Sequence, residues 1–142
     1  MNVREVTWEE FHALVDILAN ALKKQPVKYD MIYGIPRGGL VPAVMLSHML
    51  EIPQVTYVDG DLISLHKVLV VDDIVHTSET IRRFENAFDT RCDVATVYLK
   101  EGCEYRPEYF SAIVHKGMWI KFPYEVDTQD SVSKVTILDR KE

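Results

Sequence analysis

Cysteine is scarce in this chain: only Cys92 and Cys103 occur among 142 residues. They form no C-x-x-C pair and fit no zinc spacing, which argues against a disulfide framework or a zinc finger. They read as reduced thiols, the usage expected of a cytoplasmic protein. Long apolar runs are missing too. None approaches the roughly 20 residues of a membrane-spanning helix, so no membrane partner is expected. The first residues include Arg4, Glu5, Glu9 and Glu10, which is not the pattern of a signal peptide. Basic residues are outnumbered, 16 against 22 acidic ones, for a formal net charge of -6. A phosphate backbone demands basic patches, so no nucleic-acid partner is expected. A local basic pocket stays open. There is no internal repeat, low-complexity segment or linker. What is present is an ordinary globular composition, 47% hydrophobic and 27% charged. Residues 1–142 fit one domain with a real core.

Hydrophobic periodicity sets out the elements. Thr7-Trp8-Glu9-Glu10 is a capping box, with Thr7 as N-cap and Glu10 reaching back. Phe11, Leu14, Val15, Leu18 and Leu22 follow at helical spacing. Gln25 to Tyr29 make a polar exit, Met31 to Ile35 a short strand, and Pro36-Arg37-Gly38-Gly39 a tight turn. Val41, Val44, Met45 and Met49 mark a second helix, with Pro42 tolerable in its first turn. Pro53 to Val58 reads as a second strand. Asp59 to His66 is a short polar connection with room for a small strand at Leu62-Ile63. A third strand begins at Val68 and a third helix runs from Ser78 to Phe88. Val94 to Leu99, Tyr109 to Val114 and Val135 to Leu138 have the pattern of further strands. Strands alternating with helices indicate a largely parallel sheet.

The richest stretch is Val68 to Thr80, VLVVDDIVHTSET. Its four leading apolar residues read as a strand buried on both faces. Asp72 and Asp73 then stand at the strand's carboxyl end, where open α/β sheets bind ligands. A solvated strand end is the plain alternative. Yet two adjacent acids repel each other, and strands disfavour Asp. Such a pair can accept hydrogen bonds from ribose hydroxyls or hold a hydrated Mg²⁺. Thr77-Ser78-Glu79-Thr80 taken alone is an N-cap with an acid in the first turn. After two acids, its backbone N–H groups and hydroxyls suit a phosphate, provided that Glu79 points away. Pro36-Arg37-Gly38-Gly39 follows a strand at the same sheet edge. Its glycines permit close backbone approach, and Arg37 can fork onto phosphate oxygens. Lys100 puts a cation at that edge, although an isolated lysine is by default solvated. Trp119-Ile120 reads as core, or as an aromatic face on which a heterocycle stacks. His76, between the acids and the phosphate turn, is either polar filler or a group suited to proton transfer.

The Val68–Thr80 segment resembles the phosphoribosyl-pyrophosphate (PRPP) signature of type I phosphoribosyltransferases. Val6-Thr7-Trp8, Arg37-Gly38-Gly39-Leu40-Val41-Pro42, Lys100, and Trp119-Ile120 with Pro123 recur in the order found in the bacterial 6-oxopurine members of that family. The likeness spans about residues 6 to 125. It implies an α/β fold with a central, mostly parallel sheet flanked by helices, a small C-terminal hood and a shortened catalytic loop. The reaction it implies is transfer of 5-phosphoribose from PRPP to guanine, xanthine or hypoxanthine, with release of pyrophosphate. Asp72 and Asp73 would hold the ribose hydroxyls and, through water, Mg²⁺. Thr77, Ser78, Glu79 and Thr80 would bind the 5'-phosphate, and Arg37 with Gly38 the pyrophosphate, at a position where the family often has a cis peptide. Lys100 would meet the purine 6-oxygen, Trp119 would stack on the ring and the Ile120 carbonyl would meet the 2-position. Asp73 and His76 are the candidate catalytic groups. The implied assembly is a homodimer or homotetramer.

Three departures from the family pattern bear on turnover. His76 stands where an Asp usually acts on purine N7; a neutral imidazole can accept the same proton. Ser78 replaces the usual Gly, which is harmless only if φ there is negative. Asp59–His66 is too short for the long mobile loop that normally closes the site, and lids exclude water. Its loss predicts slow or partly hydrolytic turnover, or cover by a partner subunit. The alternative function is a weak or inactive PRPP- or nucleotide-binding regulator on the same fold. A phosphate-receiver domain is disfavoured by order alone, since receivers place their acid pair after the first strand.

Overall fold

The Thr7 hydroxyl accepts the Glu10 N–H at 3.1 Å, and the Glu10 carboxylate accepts the Thr7 N–H at 3.0 Å. This reciprocal cap starts the first helix where the sequence places it. The structure, a computed structural model, describes residues 2–88 and 91–126. Its elements are β1 (Asn2–Glu5), α1 (Trp8–Lys23), β2 (Met31–Gly34), α2 (Leu40–Leu50), β3 (Gln54–Val55), α3 (Gly60–Leu65), β4 (Val68–Val75), α4 (Glu79–Phe88), β5 (Asp93–Lys100), β6 (Tyr109–Val114) and β7 (Met118–Lys121). The expected strand at Val135–Leu138 lies outside the described residues.

Five strands form one parallel sheet in the order β3-β2-β4-β5-β6. Successive residues of β4 face opposite helices. Leu69 and Val71 join Phe11, Val15, Leu18, Ala43 and Leu46 of α1 and α2. Val68 and Val70 meet Ile81 and Phe84 of α4 and Leu62 and Ile63 of α3. Burial on both faces explains the uninterrupted apolar run that starts β4. From β2 the chain crosses to β3 on one side, then returns to β4 on the other. The order therefore reverses between β2 and β4, and such a reversal opens a crevice at the strands' carboxyl ends.

A separate two-stranded parallel sheet pairs β1 with β7, in register Val3↔Trp119 and Arg4↔Ile120. This is the hood; its second strand comes from the amino terminus. Neither β1 nor β7 is visible as a strand in the sequence. Each is four residues long, and all of β1 is exposed, so neither carries a periodic signal.

Three local expectations are corrected. Leu62-Ile63 is helical, because Asp59 caps α3 by accepting the Leu62 N–H at 2.8 Å. Both side chains then pack beneath α4's apolar face. The Pro53–Val58 strand shrinks to Gln54–Val55, an edge strand with β2 as its neighbour. Tyr29 is not part of a polar exit: it is buried and donates to Asp93 at 2.5 Å. Cys92 and Cys103 are free thiols. Among the described residues, no helix is long and apolar enough to cross a membrane.

Candidate active site

The two loops at the switch point face each other. After β2, the Gly39 N–H closes a turn onto the Ile35 carbonyl at 2.9 Å, and the Pro36–Arg37 peptide is cis. The turn lies against β4 so closely that a Cβ on Gly38 would overlap the Asp73 carboxylate. A Cβ on Gly39 would run into backbone oxygens of Val71 and Ile35. The glycines are therefore required by close approach.

Asp72 and Asp73 occupy different surroundings. Asp72 is 8% exposed, and its Oδ1 accepts the Asp73 N–H at 2.9 Å. Burial, then the Asp73 charge, pushes its pKa up to about 8. Asp73 is half-buried. Its Oδ1 accepts the Ile74 N–H at 2.8 Å and its Oδ2 accepts the Tyr124 hydroxyl at 2.8 Å. Burial thus pushes Asp72 toward its neutral form, while Asp73 has a backbone donor on one oxygen and a phenol donor on the other, two carboxylates in two different environments.

His76 follows β4 and stacks with Trp119, ring centroids 5.8 Å apart and planes 23° from parallel. Partial burial, then the nearby Lys100 charge, lowers its pKa, against an opposing pull from Asp73 and Glu125. The imidazole is accordingly neutral around pH 7 and free to accept a proton. In the next turn, the Thr77 hydroxyl accepts the Glu79 N–H at 3.3 Å, and the Ser78 carbonyl accepts the Arg82 N–H at 2.9 Å. Glu79 pairs with Arg83 one turn along α4, so its charge points away from the turn. Among the described residues, Glu51 is the one non-glycine with positive φ; Ser78 is therefore unstrained.

A cleft of about 300 Å³ joins these parts, lined by Gly38, Asp72, Asp73, His76, Thr80 and Trp119 among others. A notch of about 50 Å³ continues from it between β4 and α4, with Asp72, Thr77 and Thr80 in its wall. Ile120 lines the cleft but is itself buried. Arg37, Lys100, Ser78 and Glu79 do not line it. Arg37 is exposed between two lining residues, Pro36 and Gly38. The Lys100 ammonium donates to the Met118 carbonyl at 2.9 Å, beside Trp119. A larger cleft of about 490 Å³, lined by Arg4, Met118 and Ile120 among others, contains none of the sequence-predicted site residues apart from Ile120.

Tyr124 and Glu125 are the site residues that sequence reasoning missed. Both follow β7 in the Phe122-Pro123-Tyr124-Glu125 turn, where the Glu125 carboxylate accepts the Phe122 N–H at 3.2 Å. No local pattern in the sequence marks either of them. Among the described residues, no three His, Cys, Asp or Glu side chains gather as metal ligands.

A five-stranded parallel sheet with an acid pair, a hydroxyl turn and a glycine turn at its switch point defines a type I phosphoribosyltransferase fold. No protein-family model matches the chain. Xanthine-guanine phosphoribosyltransferase of Nitratidesulfovibrio vulgaris (strain DP4) is 32% identical over 142 residues, covering 87% of this chain and 85% of that protein. The crystal structure of the purine phosphoribosyltransferase from Pyrococcus horikoshii Ot3 superposes with a TM-score of 0.71 at 27% identity, covering 89% of this chain and 97% of that one. Helicobacter pylori xanthine-guanine-hypoxanthine phosphoribosyltransferase shares the fold, with a TM-score of 0.72 at 18% identity over 93% of this chain and 98% of that one. The chain belongs to the xanthine-guanine phosphoribosyltransferase family.

Proposed function

We propose that the protein transfers 5-phosphoribose from PRPP to a 6-oxopurine base, guanine, xanthine or hypoxanthine, and releases pyrophosphate. The observation that carries this reading is the convergence of Asp72, Asp73, Thr80, Gly38 and Trp119 on one cleft at the switch point. Together they match one ligand set: the acid pair a diol, Thr80 a phosphate, Gly38 a pyrophosphate and Trp119 a heterocycle.

Breaking the bond at the anomeric carbon creates a cationic, oxocarbenium-like centre and an anionic leaving group. Arg37 and the Gly38 backbone would stabilise the departing pyrophosphate. Asp73 would accept the ribose hydroxyls. Thr77 and Thr80, with the first N–H groups of α4, would bind the 5'-phosphate, with Ser78 contributing backbone. The purine would stack on Trp119, its oxygen side toward Lys100 and the Ile120 carbonyl. His76, neutral at pH 7, would take the proton that the attacking base gives up.

Two carboxylates without a third ligand suit a hydrated Mg²⁺ that arrives with phosphate oxygens better than a resident ion. Asp72 and Asp73 would hold it through water, and its charge would favour ionisation of Asp72. When bound, it supplies charge neutralisation at the leaving pyrophosphate. Homodimer or homotetramer assembly belongs to the same reading and is checked by light scattering.

Purified protein with PRPP, Mg²⁺ and each of the three bases should release pyrophosphate, and Asp73→Asn should abolish the release. PRPP binding with no turnover on any base would instead point to a regulator.

A further inference from the structure

Tyr124 lies in no recognisable motif, yet its hydroxyl donates to Asp73 Oδ2 at 2.8 Å. We propose that Tyr124 is a positioning residue. Through that hydrogen bond it fixes the Asp73 carboxylate for the ribose hydroxyls of PRPP and ties the ribose side of the cleft to the hood segment carrying Trp119. The proposal rests on the reading of Asp73 as a ribose ligand.

A carboxylate offers about four acceptor sites on its two oxygens. The Ile74 N–H takes one on Oδ1 and the Tyr124 hydroxyl takes one on Oδ2. With the backbone donor alone, the carboxyl group could turn about its terminal torsion, which is broad for this type of bond. A second donor on the other oxygen removes that freedom. It leaves one acceptor site on each oxygen, and Asp73 lines the cleft where two ribose hydroxyls would need them. Gly38 closes over the same carboxylate, so no side chain from the β2 turn displaces it.

The anchor is itself rigid. The Tyr124 ring stacks on Phe122, centroids 5.4 Å apart and planes 8° from parallel, and meets Phe11 edge-on at 5.6 Å. Phe11 and Phe122 are core residues, 0% and 3% exposed. The hydroxyl's position is thus inherited from the core under the hood. Burial and the Asp73 charge both hold the phenol protonated, so it remains a donor. Tyr124 lies three residues beyond the end of β7, on the same short stretch as Trp119. The residue that orients the ribose ligand and the residue that would stack the base therefore sit on one segment.

Tyr124→Phe deletes the hydroxyl and keeps the ring. PRPP binding with Mg²⁺ and no base, measured by calorimetry in the wild type, Tyr124→Phe, Asp73→Ala and the double variant, tests the proposal. The dissociation constant should rise about tenfold on Tyr124→Phe in the wild-type background, the scale of one hydrogen bond to a charged group. In the Asp73→Ala background the same change should leave it within about twofold, because the hydroxyl has lost its target. Equal PRPP affinity in the wild type and Tyr124→Phe overturns the proposal. So does an equal loss in both backgrounds, which would mean that the hydroxyl acts independently of Asp73. Absence of PRPP binding by the wild type is a different failure: it removes the reading of the cleft, and the positioning role with it.

Discussion

The imidazole of His76 lies over the indole of Trp119 with ring centroids 5.8 Å apart. Two stacking contacts at about 3.5 Å each need about 7 Å. A purine therefore cannot enter between the two rings as they stand. If the base stacks on the face of Trp119 that His76 covers, His76 must give up that face and move toward the edge of the base, where proton transfer takes place.

His76→Ala should then lower kcat by about 100-fold or more, the usual scale of a general base, without raising the purine KM. His76→Asp should keep most of the turnover, since a carboxylate can take the same proton. Steady-state kinetics on all three proteins check this. Unchanged kcat in the alanine variant would reduce His76 to a lid on Trp119.

Gly38→Ala introduces a methyl group at the position occupied by the Asp73 carboxylate. The backbone of Gly38 is not in the left-handed region, so the chain conformation tolerates alanine and the overlap alone decides. Tyr124 holds the carboxylate from the other side, which limits its retreat. Displacing a reacting-site group by about 1 Å can reduce a rate about 100-fold. The variant should fold, with a melting temperature near that of the wild type, and lose kcat/KM for PRPP on that scale. Wild-type kcat/KM would show that the two loops are looser than this contact implies.

The sheet, its helices and the acid pair were legible because each leaves a local trace. β4 shows a continuous apolar run, α1 a capping box, and the ligand loops sit at strand ends. The hood was not legible as structure. β1 and β7 are short and pair across the length of the chain, so their stability comes from tertiary contact rather than from pattern. The same holds at Leu62-Ile63, where two apolar residues suit a strand and Asp59's cap makes them helical. Tyr124 was invisible for a related reason. Its chemistry depends on Asp73, 51 positions away in sequence, and a lone tyrosine after a proline announces nothing. Lys100 was legible as a cation at the right edge, but its engagement with the Met118 carbonyl was not.

Asp72 gives the ligand-free protein a pH signature. Burial and the Asp73 charge hold its pKa up to about 8, against about 3.9 in an unfolded chain. Between those values the folded state keeps a proton that the unfolded state releases. Asp72 therefore subtracts stability progressively as pH rises through that window, and levels off above its folded pKa. Asp72→Asn is uncharged throughout. The difference in melting temperature, variant minus wild type, should be small near pH 4.5 and grow steadily toward pH 8. The scans should be run with a chelator and without PRPP, because a bound cation would ionise the wild-type group. A difference independent of pH would mean that Asp72 is already ionised in the folded protein.

Lys100 offers a second pH handle, separable from base recognition. Its ammonium has three donors, one of which goes to the Met118 carbonyl. The others remain for a purine oxygen, and its charge contributes to lowering the His76 pKa. Lys100→Met removes the donors and the charge together. The purine KM should rise about tenfold or more, and the acid limb of kcat should move to higher pH as His76 regains basicity. Lys100→Arg keeps the charge and alters the donor geometry. It should raise the purine KM while leaving the acid limb near its wild-type position. If both variants move the limb equally, the charge is not what sets His76. If neither changes the purine KM, Lys100 braces the end of β7 and does not meet the base.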